Sequence, residues 1–247
     1  MGGPSLTTAR PAFYALRPGG WRDLVTLLHP PYTAWHLSYV ALGTAAAPGV
    51  IHGDRLGAAL GAFFLAVGVG AHALDELNGR PLRTALGRGV LIALGAAGVL
   101  GAVAVGVVGV LVVSPLLVPL VLVGGLIAPA YNLEWLRGRF HSDFWFAFAW
   151  GAFPAFTGYF VQTLSVRPGG VAVAGACFLL SVAQRRLSTP VRELRRRTVE
   201  VSGEQHLADG TVVSLDRARL SAPLEGALSS LWLALVLLAV ALLVTRL

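Results

Sequence analysis

Long apolar runs, separated by short polar and basic segments, dominate this chain. Runs near 33–50, 56–77, 89–110, 114–132, 144–164, 170–184 and 224–245 stand out. Most approach the roughly 20 apolar residues that cross a bilayer as a helix. The fourth opens on a break at Ser114-Pro115, and the sixth is short and ends at Gln184. The pattern predicts an all-α integral membrane protein, a bundle of about seven transmembrane helices. Ahead of the first run, Trp21, Leu24, Leu27 and Leu28 recur at helical spacing and predict a short interfacial helix.

The longest polar stretch is 185–222. Ser188-Thr189-Pro190 within it has the cap and first-turn proline of a new helix. Farther on, Val199 and Val201 alternate with polar residues, and Asp209-Gly210 is a hairpin signal before Thr211-Val212-Val213. The expectation is one membrane domain over 1–247, with a polar cytoplasmic loop carrying a small β-hairpin before the last span.

Composition sharpens this picture. Apolar residues make up 55% of the 247 positions and charged residues 13%, against about 25% charged in a soluble domain. A water-soluble globule and a disordered chain are both excluded. All 19 basic residues are Arg, and the net charge is +7. Such a charge invites a nucleic-acid reading, but its distribution answers that. With the N-terminus inside, sixteen Arg fall in inner segments and three (Arg55, Arg167 and Arg246) in outer ones. This is the positive-inside bias, and it predicts N-terminus inside and C-terminus outside. The partners expected are membrane lipids, with no nucleic acid. The expected location is a prokaryotic plasma membrane, as a multi-pass protein. Residues 1–30 lack the apolar core and cleavage site of a signal peptide, so none is expected. The single Cys177 lies within a run, which leaves no disulfide framework and no Cys-based zinc site.

Polar residues near span ends supply the candidate chemistry. His72, Asp75, Glu76 and Gly79 lie at i, i+3, i+4 and i+7, on one helix face. Such a face suits a divalent cation or ion pairs with Arg80 and Arg83; the plainer reading is a helix entering the interface. A second set is Tyr131, Asn132 and Glu134, followed by His141, Asp143 and the aromatics Phe144, Trp145, Phe146, Phe148 and Trp150, which also suit an interfacial belt. Thr157, Tyr159 and Gln162 stand deeper in the fifth run. A third set is Gln184, Arg185, Arg186, Arg192 and Glu193. Arg is a bidentate diphosphate partner, although orientation and headgroup contact explain it equally. All three sets fall on the inner side. A cavity with a polar inner mouth and apolar walls would suit a lipid with a charged head and a long tail.

The order of these features resembles the UbiA superfamily of intramembrane prenyltransferases. His29-Pro30-Pro31 with Leu42-Gly43-Thr44 is similar to its first helix. Ala71, His72 and Asp75 stand where its first Asp-rich motif has Asn, Asp and Asp, and Arg80-Pro81 resembles the Arg-Pro pair that follows. Ala130-Tyr131-Asn132 resembles the end of its fourth helix, Gly158 to Thr163 its fifth, and Pro223-Leu224-Glu225 the start of its seventh. The likeness covers about 25–245. The first Asp-rich motif is eroded, and Gln184 to Pro190 contains no Asp where the second belongs.

The resemblance implies Asp75, His72 and Tyr159 as catalytic residues and Mg²⁺ on Asp75 and Glu76. It implies Arg80, Asn132, Arg185, Arg186 and Arg192 as substrate-binding residues for a prenyl diphosphate or other isoprenoid lipid. Two functions stay open. One is a divergent prenyltransferase-like enzyme in which Arg replaces the lost second metal site. The other is a non-catalytic isoprenoid- or lipid-binding protein, or a subunit that assists an enzyme.

Overall fold

A computed structural model describes residues 10–246. The first nine residues, part of the stretch read for a signal peptide, and residue 247 lie outside it. The described residues form α1 (Trp21–Leu27), α2 (Pro30–Ala46), α3 (Gly53–Leu77) and α4 (Arg88–Val112). These are followed by α5 (Pro115–Asn132), α6 (Asp143–Thr163), α7 (Pro168–Arg196) and α8 (Arg217–Val244).

Six of these helices, α3 to α8, are long and apolar enough to cross a membrane. The fold is therefore that of a mostly helical chain consistent with a multi-pass integral membrane protein. The remaining predicted span corresponds to α2, with 17 residues, about 26 Å at the helical rise. It is the most enclosed helix, with Trp35, Tyr39 and Val40 fully buried. α4 and α8 instead turn many large apolar side chains outward, among them Leu100, Leu111, Leu237 and Val244. Water would penalise that surface; lipid does not.

Glycine sets how closely the inner helices approach. A Cβ on Gly43 would overlap the Ala155 carbonyl, and one on Gly158 would overlap the Val40 carbonyl. α2 and α6 therefore touch backbone to backbone, as small residues allow where lipid supplies no hydrophobic drive between helices. α3 and α4 do the same through Gly98, where a Cβ would lie 2.5 Å from the Gly70 nitrogen.

Two helices carry π-helical turns, Phe64–Ala71 in α3 and Phe148–Ala152 in α6. Such turns widen the helix and displace backbone carbonyls from their usual partners. Here the Trp150 carbonyl accepts from His36 Nδ1 at 2.7 Å.

The helix start expected at Ser188-Thr189-Pro190 is not a boundary. α7 runs unbroken through Pro190. Pro190 withdraws a hydrogen bond from the carbonyl four residues back, that of Arg186. Arg186 is exposed, so solvent or headgroups can satisfy that carbonyl. Beyond the proline, Arg195 donates to Glu225 of α8 through Nε and, at 2.7 Å, through Nη2. The non-helical connection is thus 197–216, shorter than the 185–222 expected. It holds an antiparallel hairpin, β1 (Glu204–His206) and β2 (Val212–Ser214), with Glu204 opposite Ser214. Gly210 at φ +86° supplies the left-handed turn residue. The strands begin after the Val199–Val201 alternation, not at it.

Candidate functional site: a polar cavity beside an apolar pocket

The start of α2, the end of α3, the end of α5, the start of α6 and the end of α7 converge on one cavity of about 290 Å³. α3 contributes Val67, Ala71, His72 and Asp75; α5 contributes Tyr131 and Asn132. α7 contributes Gln184, Arg185, Ser188, Arg192 and Arg196. The segment Pro11 to Tyr14 closes it from the loop side, tied down where Arg195 Nη1 donates to the Arg10 carbonyl (3.3 Å) and Arg196 Nε to the Pro11 carbonyl (3.2 Å).

Four histidines line this space: His29, His36, His72 and His141. His29 adopts a left-handed backbone, φ +46°, uncommon outside glycine. That turn stacks its ring on His72, with centroids 4.1 Å apart, and sets Nδ1 2.6 Å from the Tyr14 hydroxyl. Burial, then the neighbouring His72 ring, hold the His29 pKa well below its ordinary value, so the ring is neutral at pH 7. Burial raises the Tyr14 phenol well above its usual range. Tyr14 therefore keeps its proton.

Three buried polar atoms at this cavity have no partner among the described residues: His29 Nε2, Tyr131 Oη and Gln184 Oε1. Their residues are 8%, 4% and 2% exposed. Nearly all buried polar atoms are hydrogen-bonded, so three together mark a place where a ligand or water completes the structure.

A second, apolar pocket of about 140 Å³ lies between α3, α4, α5 and α6. Its walls are mostly Val, Ala, Gly, Leu and Phe, and Arg55 and Thr157 are the polar or charged side chains among the lining residues described. Val67 and Trp150 belong to both spaces. The two are neighbours across that wall, one polar and one apolar.

Compared with family models, curated proteins and solved structures, the chain matches none. The functional reading therefore rests on the geometry.

Of the expected site residues, His72, Asp75, Asn132, Arg185 and Arg192 meet at the cavity. Four do not. Glu76 is fully buried, and its oxygens accept from Leu82 N (2.9 Å), Thr84 N (2.8 Å) and Thr84 Oγ1 (2.9 Å). It anchors the loop after α3. Helical spacing put it on the Asp75 face, but one residue's rotation sends it to the loop side instead. Arg80 serves the same loop, donating to the carbonyls of Thr84 (3.1 Å) and Leu86 (2.8 Å). Arg186 is exposed, on the opposite side of α7 from the cavity wall. Tyr159 lies farther along α6, packed against Gly170 of α7.

The donor set does not fit a dedicated Mg²⁺ site. Among the described residues Asp75 is the one carboxylate at the cavity, and Arg196 and Arg192 act electrostatically on it. Among the described residues no group of three or more His, Cys, Asp or Glu is placed to hold a metal. Mg²⁺ wants hard oxygen ligands in a nearly octahedral set.

Sequence reading passed over Tyr14, His29, His36 and Arg196 as site residues. A signal existed for two of them. His29 and His36 are seven apart, which places both on one helix face at the start of an apolar run.

Proposed function

We propose that this protein is a divergent prenyltransferase-like membrane protein. It takes the diphosphate of a prenyl donor in the polar cavity and the isoprenoid tail in the apolar pocket. The observation that carries this reading is the pairing of the two spaces across Val67 and Trp150, with three Arg on one side and an apolar lining on the other. That division suits an amphiphile whose head is anionic and whose tail is a hydrocarbon. The proposed orientation has seven spans, N-terminus inside and C-terminus outside, with the cavity facing the cytoplasm.

In the proposed reaction, the bond between prenyl C1 and the diphosphate oxygen breaks, and the electron pair leaves with the diphosphate. Arg185, Arg192 and Arg196 stabilise the charge that develops on the leaving group. The allylic cation that remains is attacked by an acceptor nucleophile, whose proton passes to Asp75. His72 and Asn132 shape the head site.

One observation favours a second reading, a non-catalytic isoprenoid-binding protein. A single carboxylate among the described residues lines the cavity, and proton transfer has little redundancy there. The test uses purified protein in lipid nanodiscs with labelled prenyl diphosphates of several chain lengths. Diphosphate release that is lost in Asp75→Ala is the expected result. Binding without release at every chain length identifies the second reading. Neither binding nor release overturns both.

A further inference from the structure

We propose that the cavity holds the phosphate groups of its ligand directly through Arg192, Arg196 and Arg185, without a divalent cation. This deepens the reading above and rests on it for the identity of the tail, but not for the anion.

The spacing comes first. Arg185, Arg192 and Arg196 are separated by seven and four residues. On an α-helix those intervals keep the three within about 40° of one another. All three reach the cavity, while exposed Arg186 and Arg197 do not line it.

Their bonding comes second. Arg185 is the only one of the three paired with a carboxylate among the described residues, through Nε to Asp143 Oδ1 at 2.9 Å. That bond leaves its terminal nitrogens free of protein partners among the described residues. Among the described residues Arg192 donates only to Thr189 Oγ1 at 3.0 Å, and Arg196 only to the Pro11 carbonyl at 3.2 Å. Among the described residues three guanidinium groups thus share a partly enclosed space with one carboxylate, Asp75. Arg185 is offset by Asp143, and the half-buried positive charge that remains on Arg192 and Arg196 exceeds the one carboxylate facing it, a surplus that an anion would relieve. A cation such as Mg²⁺ would add to the excess.

The unpartnered atoms supply the third argument. Tyr14 remains a phenol and can donate to His29 Nδ1, which leaves His29 Nε2 carrying a proton with no acceptor. The Tyr131 hydroxyl is a second free donor. The Gln184 amide presents its oxygen or, rotated, its NH₂. Neutral donors around a cluster of Arg describe an oxyanion receptor of the kind that binds phosphate by charge-assisted hydrogen bonds.

The test is calorimetric titration of the full-length protein, in phosphatidylcholine nanodiscs, with inorganic pyrophosphate. It is run in EDTA and again with Mg²⁺. Binding in EDTA within about twofold of that in Mg²⁺ is expected, because the anion's partners are all protein groups. Arg192→Gln is expected to weaken it at least about tenfold, while Arg197→Gln, the same charge change on an exposed residue, leaves it within about twofold. Tyr131→Phe, which keeps the packing, is expected to weaken it roughly threefold and guards against a misfolded Arg192 variant. Binding that requires Mg²⁺, no pyrophosphate binding in EDTA, or equal losses in Arg192→Gln and Arg197→Gln would each overturn the proposal. A second arm adds phosphatidylglycerol to the nanodisc. Competition that depends on Arg192 supports the proposal with a lipid headgroup as the phosphate source, and absence of competition supports it with a soluble or prenyl diphosphate. If prenyl diphosphates then bind no tighter than pyrophosphate, the metal-free site stands and the isoprenoid reading fails.

Discussion

Glu76 and Asp75 are sequence neighbours with separate tasks. Asp75 faces the cavity, while Glu76 spends both oxygens on the loop between α3 and α4. Glu76→Gln keeps the shape but replaces one acceptor with a donor that confronts a backbone N–H. Losing those bonds should cost about 1–3 kcal/mol, seen as a lower thermal midpoint in detergent, with pyrophosphate affinity little changed. A large loss of affinity without loss of stability would return Glu76 to the binding site. His29 gives a pH prediction. Its folded pKa lies well below the ordinary 6.5, so below that pH the unfolded chain binds more protons than the folded one. The stability His29 contributes is complete above about pH 6.5 and is lost as pH falls. His29→Asn should therefore flatten the decline of the thermal midpoint between about pH 6.5 and 5. An unchanged slope would show that His29 takes up its proton alike in the folded and the unfolded chain.

At the scale of elements, the α2–α6 contact is the least tolerant of change. Gly158→Ala would drive a methyl group into the Val40 carbonyl, and rigid backbone on both sides gives it no room. The expected outcome is loss of monodisperse protein on size-exclusion chromatography. Gly226→Ala on α8, where a Cβ meets nothing within 4 Å, should be neutral and is the control. Helix positions were legible because membrane spans need long apolar runs: each observed helix from α2 to α8 overlaps one such run. The end of α7 was not. Pro190 next to Ser188-Thr189 reads as a start signal, and only the Arg195–Glu225 pair across to α8 shows what carries the helix past it. Local sequence states a preference; a contact 30 residues away decides against it.

The whole molecule sorts its charge by end, and the cavity sits at the end where the Arg-rich connections gather. The proposed orientation is open to labelling, since the one native cysteine, Cys177, is buried. In intact cells, Gly49→Cys should react with a membrane-impermeant thiol reagent, and Thr211→Cys in the hairpin turn should react only after lysis. The reverse pattern would invert the topology and place the cavity outside. Half of the candidate site was legible because polar residues at the ends of apolar runs are rare enough to stand out. The rest was hidden for two physical reasons. His29, His36 and Tyr14 come from the N-terminal end of the chain, and only tertiary packing sets them beside Asp75. Rotation within each helix, which separates Asp75 from Glu76 and Arg192 from Arg186, is fixed by packing and not by spacing alone.

The central claim is that one amphiphile lies across both spaces, head among the Arg and tail between α4, α5 and α6. The most direct measurement is photo-crosslinking with a prenyl diphosphate that carries a diazirine at the far end of its tail, followed by peptide mapping. The account predicts adducts on α4 and α5 at the apolar pocket, near Val103, Val121 and Gly124, suppressed by excess pyrophosphate and lost in Arg192→Gln. Adducts confined to lipid-facing positions such as Leu237 of α8, indifferent to pyrophosphate, would contradict it.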